Sequence, residues 1–237
     1  STRYDSRTTT FSPEGRLYQV EYAVEAVNHA GAAIGIKTDS GVVIATEKRV
    51  LSKLLENTVT EKVHRIDTHI VAASAGVNAD AEILVNTARL LSQQHKYKYG
   101  QSVPVELLVQ LIADQKQGYT QFGGLRPYGV SFIFAGWDQN LGFQLYQSDP
   151  SGNYVGWQAI AIGANCQTAH SILKSDYSAA LSLTDAKKLA LTVLKKIMGV
   201  TTLSSDTIEM MELARTVDDA ISMKRLSGSE LSALNEK

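Results

Sequence analysis

Cysteine is almost missing from this chain: Cys166 is the only one in 237 residues. A single thiol excludes an intrachain disulfide and a zinc site built on several cysteines, and it favours a reducing compartment, cytosol or nucleus. An excess of one charge is missing too, with 23 Lys and Arg against 24 Asp and Glu and a net charge of -1. That balance selects neither nucleic acid nor an acidic membrane surface as a partner. No apolar run approaches the roughly 20 residues that a membrane span needs. The opening Ser1-Thr2-Arg3-Tyr4-Asp5 lacks the apolar stretch of a signal peptide. His29, His64, His69, His95 and His170 are scattered, with no pair at metal-ligand spacing on a helix, so neither a metal nor a cofactor is expected. Gly123-Gly124 is followed by no Lys-Ser or Lys-Thr pair, which excludes a phosphate loop. Lys187-Lys188 and Lys195-Lys196 are too sparse for a nuclear-localisation signal and read as the solvated face of a helix.

Patterning is what the chain has in quantity. At 44% hydrophobic and 20% charged it is an ordinary globular composition. Thr8-Thr9-Thr10 and the polar residues before it favour an extended arm. Leu17, Val20, Val24 and Val27 then recur at helical spacing, with Ser12 as a candidate cap and Pro13 in the first turn. Ala33–Ile36 and Val42–Ala45 flank the turn residues Thr38-Asp39-Ser40-Gly41 and predict a hairpin. Val63–Ile66 and Ile70–Ala72 predict a second strand pair bent at Asp67-Thr68. A helix is predicted over Ala79–Tyr99, with Ile83, Leu84, Leu90 and Leu91 facing inward. Pro104 opens the next, with Leu108, Leu111, Ile112 and Tyr119 on one face.

Val130–Phe134 and Phe143–Tyr146 form another predicted hairpin, and Asp149-Pro150-Ser151-Gly152 has the composition of a type I turn. A short strand near Ala159–Ala161 leads to a helix over Asn165–Tyr177. A further helix, capped by Thr184 and ended by Gly199, carries Leu189, Val193, Leu194 and Ile197. Ile208–Ala214 and Ala220–Met223 read as a last strand pair, and Ser227–Asn235 as a terminal helix. Strand blocks and helix pairs alternate as units, without a repeat or a long linker. The fold class expected from that order is α+β, a four-layer αββα sandwich with an extra N-terminal helix. One domain is expected over 1–237, with an arm over 1–14, a helix over 15–29 and the sandwich over 30–237.

Long motifs also carry a family likeness. Tyr4-Asp5 precedes Phe11-Ser12-Pro13-Glu14-Gly15-Arg16-Leu17 and Gln19-Val20-Glu21-Tyr22-Ala23. Tyr119-Thr120-Gln121-Phe122-Gly123-Gly124 runs into Arg126-Pro127-Tyr128-Gly129-Val130-Ser131, and Ala161-Ile162-Gly163 continues the pattern. Over nearly the whole chain this resembles the α-type subunits of the 20S proteasome core particle. Ser6 and the stretch Gly142–Tyr154 with Trp157 narrow the likeness to one paralogous type. The resemblance implies the fold of N-terminal-nucleophile hydrolases and a seven-membered ring of different α subunits stacked on a β-subunit ring. Regulatory activators and unfolded polypeptide substrates would be its further partners.

A threonine-protease mechanism needs a hydroxyl nucleophile whose own freed α-amine is the base. No Gly in this chain is followed by Thr, and Gly31-Ala32-Ala33 stands where the nucleophile is expected. Ser1 reads as the residue left by removal of an initiator methionine. Glu47 and Lys62 lie roughly where catalytic β subunits carry an acid and a lysine. No catalytic residue is therefore expected. The alternatives are a proteolytic subunit with its own nucleophile, or an unrelated αββα hydrolase or ring chaperone. By spacing alone Tyr22 is a packed aromatic and Asp5 a solvated charge. The resemblance instead makes Tyr4, Asp5, Pro13 and Tyr22 the cluster that sets an axial gate. It also makes Lys62 the lysine of an activator-docking pocket, where a compact ammonium suits a C-terminal carboxylate. Arg126 is expected to anchor a ring contact, and Cys166 to be a small buried residue.

Overall fold

A computed structural model describes residues 9–48, 54, 62–216, 218 and 220–235. Among the described residues ten strands and six helices follow one another as α1 (Tyr18–Asn28), β1 (Ala33–Thr38), β2 (Gly41–Glu47), β3 (Val63–Arg65), β4 (Ile70–Gly76), α2 (Asn78–Tyr99) and α3 (Val105–Gln121), then β5 (Val130–Asp138), β6 (Gly142–Ser148), β7 (Tyr154–Gly156), β8 (Ala159–Ile162), α4 (Cys166–Asp176), α5 (Leu183–Met198), β9 (Ile208–Arg215), β10 (Ile221–Arg225) and α6 (Gly228–Asn235). Two five-stranded antiparallel sheets result, ordered β10-β9-β2-β1-β8 and β3-β4-β5-β6-β7.

Period-two patterning explains why the sheets face each other. Ile34, Ile36, Val43 and Ala45 point outward into a core shared with α4 and α5. Their neighbours Ala33, Val42 and Ile44 point inward and meet Val71, Ala73, Ile133 and Ala135 of the other sheet. On that sheet's outer face Ile70, Ala72, Phe132 and Phe134 pack under α2 and α3. Each strand is thus apolar on both faces, as a sheet buried between helices and a second sheet must be. The expected αββα order is the observed one.

The predicted hairpins hold their register, with Thr38 opposite Gly41 and Asp138 opposite Gly142. Three local expectations fail. Ile83 and Leu90 are exposed, whereas Ala81, Leu84, Val85, Ala88 and Ser92 form the buried face of α2. At about 100° per residue, Ile83 and Leu90 lie opposite Ala81 and Ser92, and small residues on the inner face let α2 lie close to its sheet. Ser182, not Thr184, caps α5, accepting the Asp185 N–H at 3.1 Å. Ser12 does not cap α1, whose N-cap position is Leu17 with no side-chain cap. The edge strand β7, three residues long, has no sequence signal of its own. Among the described residues no helix is long and apolar enough to cross a membrane.

Helix α1 reaches the sandwich through its C-terminal end. It contacts β4 and β5, and Val27 joins the core between the sheets. Val24, a member of the expected stripe, stays exposed, as does Tyr22. Leu17 and Val20, the first members of the stripe, are half-buried, so Val27 is its one fully buried member.

Candidate functional site

The chain enters α1 through a closed turn. The Gly15 N–H donates to the Ser12 carbonyl at 2.9 Å, and the Ser12 N–H donates to the Arg16 carbonyl at 2.9 Å. The Ser12 hydroxyl accepts the Arg16 N–H at 3.1 Å. Pro13 takes the second position, where its fixed φ fits. Gly15 has φ +78°, a left-handed value that a side chain would strain. Phe11, Pro13 and Glu14 are exposed around this turn while Ser12 is buried.

From the turn a chain of side chains runs along α1. A hydrogen bond from Ser12 is the leading reason that the Glu14 carboxyl sits below its ordinary range. Glu14 also accepts from the Tyr18 hydroxyl at 3.4 Å. The Tyr18 ring stacks on Tyr22, with centroids 6.3 Å apart and planes 16° from parallel. The structure thus links two of the expected gate residues, Pro13 and Tyr22, through Glu14 and Tyr18. Tyr4 and Asp5 lie outside the described residues. Tyr18 escapes sequence reasoning, although Tyr18 and Tyr22, four residues apart, share one face of α1.

Just past α1, Gly31 sits between two charges. Lys62 Nζ donates to the Gly31 carbonyl at 3.2 Å, and Glu47 Oε2 accepts the Ala32 N–H at 3.1 Å. A Cβ built on Gly31 would collide with Lys62 Nζ and lie 3.3 Å from Glu47 Oε2. The ammonium and the carboxylate therefore flank the Gly31 α-carbon. Residues 31–33 supply neither hydroxyl nor thiol. The Lys62 N–H donates to Glu209 Oε2 at 3.3 Å, and Arg225 reaches Glu209 Oε1 at 2.8 Å. Glu209 is buried, so the Lys62 backbone is held on a paired carboxylate.

Arg126 has a partner within its own chain. It grips Asp80, the third residue of α2, in a bidentate pair of 2.6 and 2.8 Å. Asp80 also accepts the Gly129 N–H at 2.9 Å. The Arg126 guanidinium, opposed by burial, holds the Asp80 carboxyl below its ordinary range. This clamp fixes the loop from Phe122 to Gly129 on the start of α2. Lys116, a residue no sequence pattern singles out, is fully buried on the inner face of α3. Its ammonium donates to the Val130 carbonyl at 3.0 Å and to the Ser148 hydroxyl at 2.7 Å, and burial pushes it down to about 7. Cys166 is half-buried at the start of α4. Among the described residues no group of three or more His, Cys, Asp or Glu could hold a metal ion.

Known proteins match both the sandwich and the arm. The family model for proteasome subunits matches residues 27–213. A second model, the N-terminal signature of A-type proteasome subunits, matches residues 4–26, which cover the turn and most of α1. Similar relatives include the alpha type-4 proteasome subunit of Spinacia oleracea, 60% identical over 90% of this chain and 86% of that one. The alpha type-4 subunit of Petunia hybrida is 58% identical over the same shares. The alpha type-4-A subunit of Arabidopsis thaliana is 58% identical over 91% of this chain and 87% of its own. The paralogous type to which Ser6 and Gly142–Tyr154 narrow the likeness is this alpha type-4. With one model on the sandwich and the other on the arm and α1, the chain belongs to the proteasome subunit family, within its alpha type.

Proposed function

We propose that this chain is a non-catalytic subunit of the outer ring of the 20S core particle. It occupies the alpha type-4, or α3, position and gates the entry of unfolded polypeptides through its N-terminal arm, in the cytoplasm and nucleus. One observation carries the reading: Lys62 and Glu47 flank a glycine, so the charges of a nucleophile site surround a carbon that bears no nucleophile. Binding residues without a reacting group hold structure and do no chemistry. The function then lies in what α1 presents, an exposed turn and the Tyr18–Tyr22 stack leading back to the arm. In assembled particles, deleting Ser1 to Thr10 is expected to raise basal peptide hydrolysis several-fold. Basal hydrolysis equal to that of the intact particle would overturn the gating role.

Lys62 supports a docking role beside it. Its ammonium is half-buried near the base of α1, where an incoming C-terminal carboxylate would compete with the Gly31 carbonyl for it. A charge-assisted hydrogen bond is worth about 1.5–3 kcal/mol. Lys62→Ala should therefore raise the activator concentration for half-maximal stimulation about tenfold or more. A half-maximal concentration that does not move would remove Lys62 from the docking pocket.

A further inference from the structure

Strand β10 is the last of its sheet and has β9 on one side only. The Thr216 N–H donates to the Ala220 carbonyl at 2.8 Å, and the Leu226 N–H to the Met210 carbonyl at 3.0 Å. Bonded and non-bonded pairs alternate along an antiparallel ladder. Ser222 and Lys224 therefore bond to Ala214 and Glu212, while Ile221 and Met223 turn their N–H and carbonyl groups away from β9. Both are half-buried, and among the described residues no strand pairs with that edge. Beside it the space between the sheets continues as a cleft of about 890 Å³. Ile221 lines the cleft and also packs against the core between the sheets. Facing it are Trp137 of β5, His69 and, from the end of α2, His95 and Tyr99. The charge of the cleft leans one way. Arg215, opposite Ile221 on β9, lies over the Trp137 ring at 4.9 Å, and Lys98 lies over the Tyr99 ring at 5.1 Å. Among the described residues Asp138 is the one carboxylate in the lining. Both of its oxygens are taken, by the Val105, Asn140 and Leu141 N–H groups and by the Gln144 amide. Asp218, in the turn between β9 and β10, does not line the cleft.

We propose that β10 and this cleft form a docking site for an extended, acidic peptide segment of another protein, added as a sixth, antiparallel strand beside Ile221–Met223. Main-chain donors and acceptors two residues apart on a sheet edge are matched by an extended backbone. Cross-strand neighbours share a face of the sheet. Residues of the added strand opposite Ile221 and Met223 therefore send their side chains into the cleft. Carboxylates there approach Arg215 and Lys98 and meet no carboxylate that is not already bonded. The other end of β10 is blunted by charge: Lys224 and Arg225 are exposed and are paired with Glu230 and Glu209. Neither Lys62 nor any residue of α1 lines the cleft, so the site is independent of the gate.

The probe is a fluorescein-labelled nonapeptide of alternating Thr and Glu, titrated by fluorescence anisotropy into the purified chain and into assembled core particles. Saturable binding to both is expected. The Thr-Lys counterpart should bind about tenfold more weakly, because several charge pairs are lost together. In the antiparallel register the Glu nitrogens face β10 and the Thr nitrogens face away. Methylating the Glu nitrogens should therefore weaken binding about tenfold, as two or more net hydrogen bonds are lost, whereas methylating the Thr nitrogens should not. Amide exchange at Ile221 and Met223 should slow when the peptide binds, and exchange at Ser222 and Lys224, already bonded to β9, should not change. Met223→Pro removes one outward N–H and leaves the β9 ladder whole. It should weaken binding about fivefold, the equilibrium factor of one net hydrogen bond; the methylated peptides make the same test on the unaltered chain. Arg215→Gln should weaken the Thr-Glu peptide about threefold and spare the Thr-Lys peptide. No saturable binding, equal affinity for the two peptides, or indifference to methylation at Glu would each overturn the proposal. Binding to the free chain but not to the particles would overturn it as well and make this edge a contact between subunits.

Discussion

Helices α4 and α5 sit on an apolar floor whose polar links lie at its edge, Lys187 to Glu212 of β9 at 2.7 Å and Asn165 to the Ile197 carbonyl at 3.0 Å. Leu189, Ala190, Val193, Leu194 and Ile197 meet Ile34, Ile36, Val43, Ala45 and Met210 in one cluster. Helices α2 and α3 have an apolar floor too, but polar pins fix them near both ends. Asp80 near the start of α2 holds Arg126 and the Gly129 N–H. Towards its end Ser92 donates to Asp67, in the bend between β3 and β4. Burial pushes the Asp67 carboxyl up, yet the hydroxyl of Ser92 and the N–H of Thr68 outweigh it and hold it low. Asp138 of β5 accepts the first N–H of α3, that of Val105, at 3.1 Å, and Lys116 ties α3 to the carbonyl of Val130. An apolar seam stabilises without selecting a register, since dispersion and burial are not directional. Directional pins select one register and make the helix pair sensitive to protons. The pinned pair also carries the loop Phe122–Gly129, whose glycine end contacts Gly76 at the close of β4.

The apolar seam should give the largest single loss. Leu194 is fully buried in it. Leu194→Ala should lower the unfolding free energy of the purified chain by about 3 kcal/mol, the transfer and cavity terms together. Urea unfolding followed by circular dichroism measures it, and the loss should be the same at pH 6 and pH 9. A loss that changes with pH would mean that the two seams are not separated in the way described.

Lys116 should give the next largest effect, and its sign is set by linkage. Burial lowers its ammonium to about 7 from 10.5. Between those values the unfolded chain binds more protons than the folded one, so stability rises with pH across that window. The penalty is fully present below about 7. From pH 7 to pH 9 the gain available is about 2–3 kcal/mol, at roughly 1.4 kcal/mol for each pH unit. Lys116→Met, similar in length and without charge, should remove that rise. It should make the variant relatively more stable at pH 6 than at pH 9. Parallel stability profiles for the two chains over pH 6–9 would break the assignment of proton sensitivity to the pinned pair.

Those two seams are not equally legible in the sequence. Leu189, Val193, Leu194 and Ile197 follow the helical period, and period alone places them inward. Period misleads at Ile83 and Leu90, because strong apolar identity carries no direction and the buried face of α2 is built from smaller residues. Lys116 and Asp80 are not legible at all: a charged residue in a helix normally lies in water, and the burial of these two is decided by carbonyls and an arginine distant in sequence. At the candidate site the turn at Pro13 is legible, whereas the meeting of Glu47 and Lys62 about Gly31 is made by contacts distant in sequence that no spacing shows. Ser12 reads in the sequence as a helix cap because Ser before Pro commonly is one. Its bonds close a turn instead, ahead of the first bond of the helix, that from the Val20 N–H to the Leu17 carbonyl at 3.0 Å.

The smallest effect separates local from distant capping. The first N–H groups of a helix lack partners within it. In α3 the N-cap Pro104 has no side-chain oxygen to offer, and the Asp138 carboxylate from another element takes the role. In α5 the role is met within four residues: Ser182 accepts the Asp185 N–H at 3.1 Å and donates to the Asp185 carboxylate at 2.7 Å. Ser182→Ala should therefore lower stability by about 1 kcal/mol, the usual worth of a cap. Thr184, the cap suggested by sequence, stands inside the helix, and Thr184→Ala should be neutral or slightly stabilising because Ala has the higher helix propensity. Urea midpoints of the two variants decide between them. A loss at Thr184→Ala equal to that at Ser182→Ala would place the start of α5 two residues later and undo the contrast with α3. A loss at Ser182→Ala alone fixes α5 as a helix that begins by its own local chemistry, where α3 begins on a carboxylate from another element.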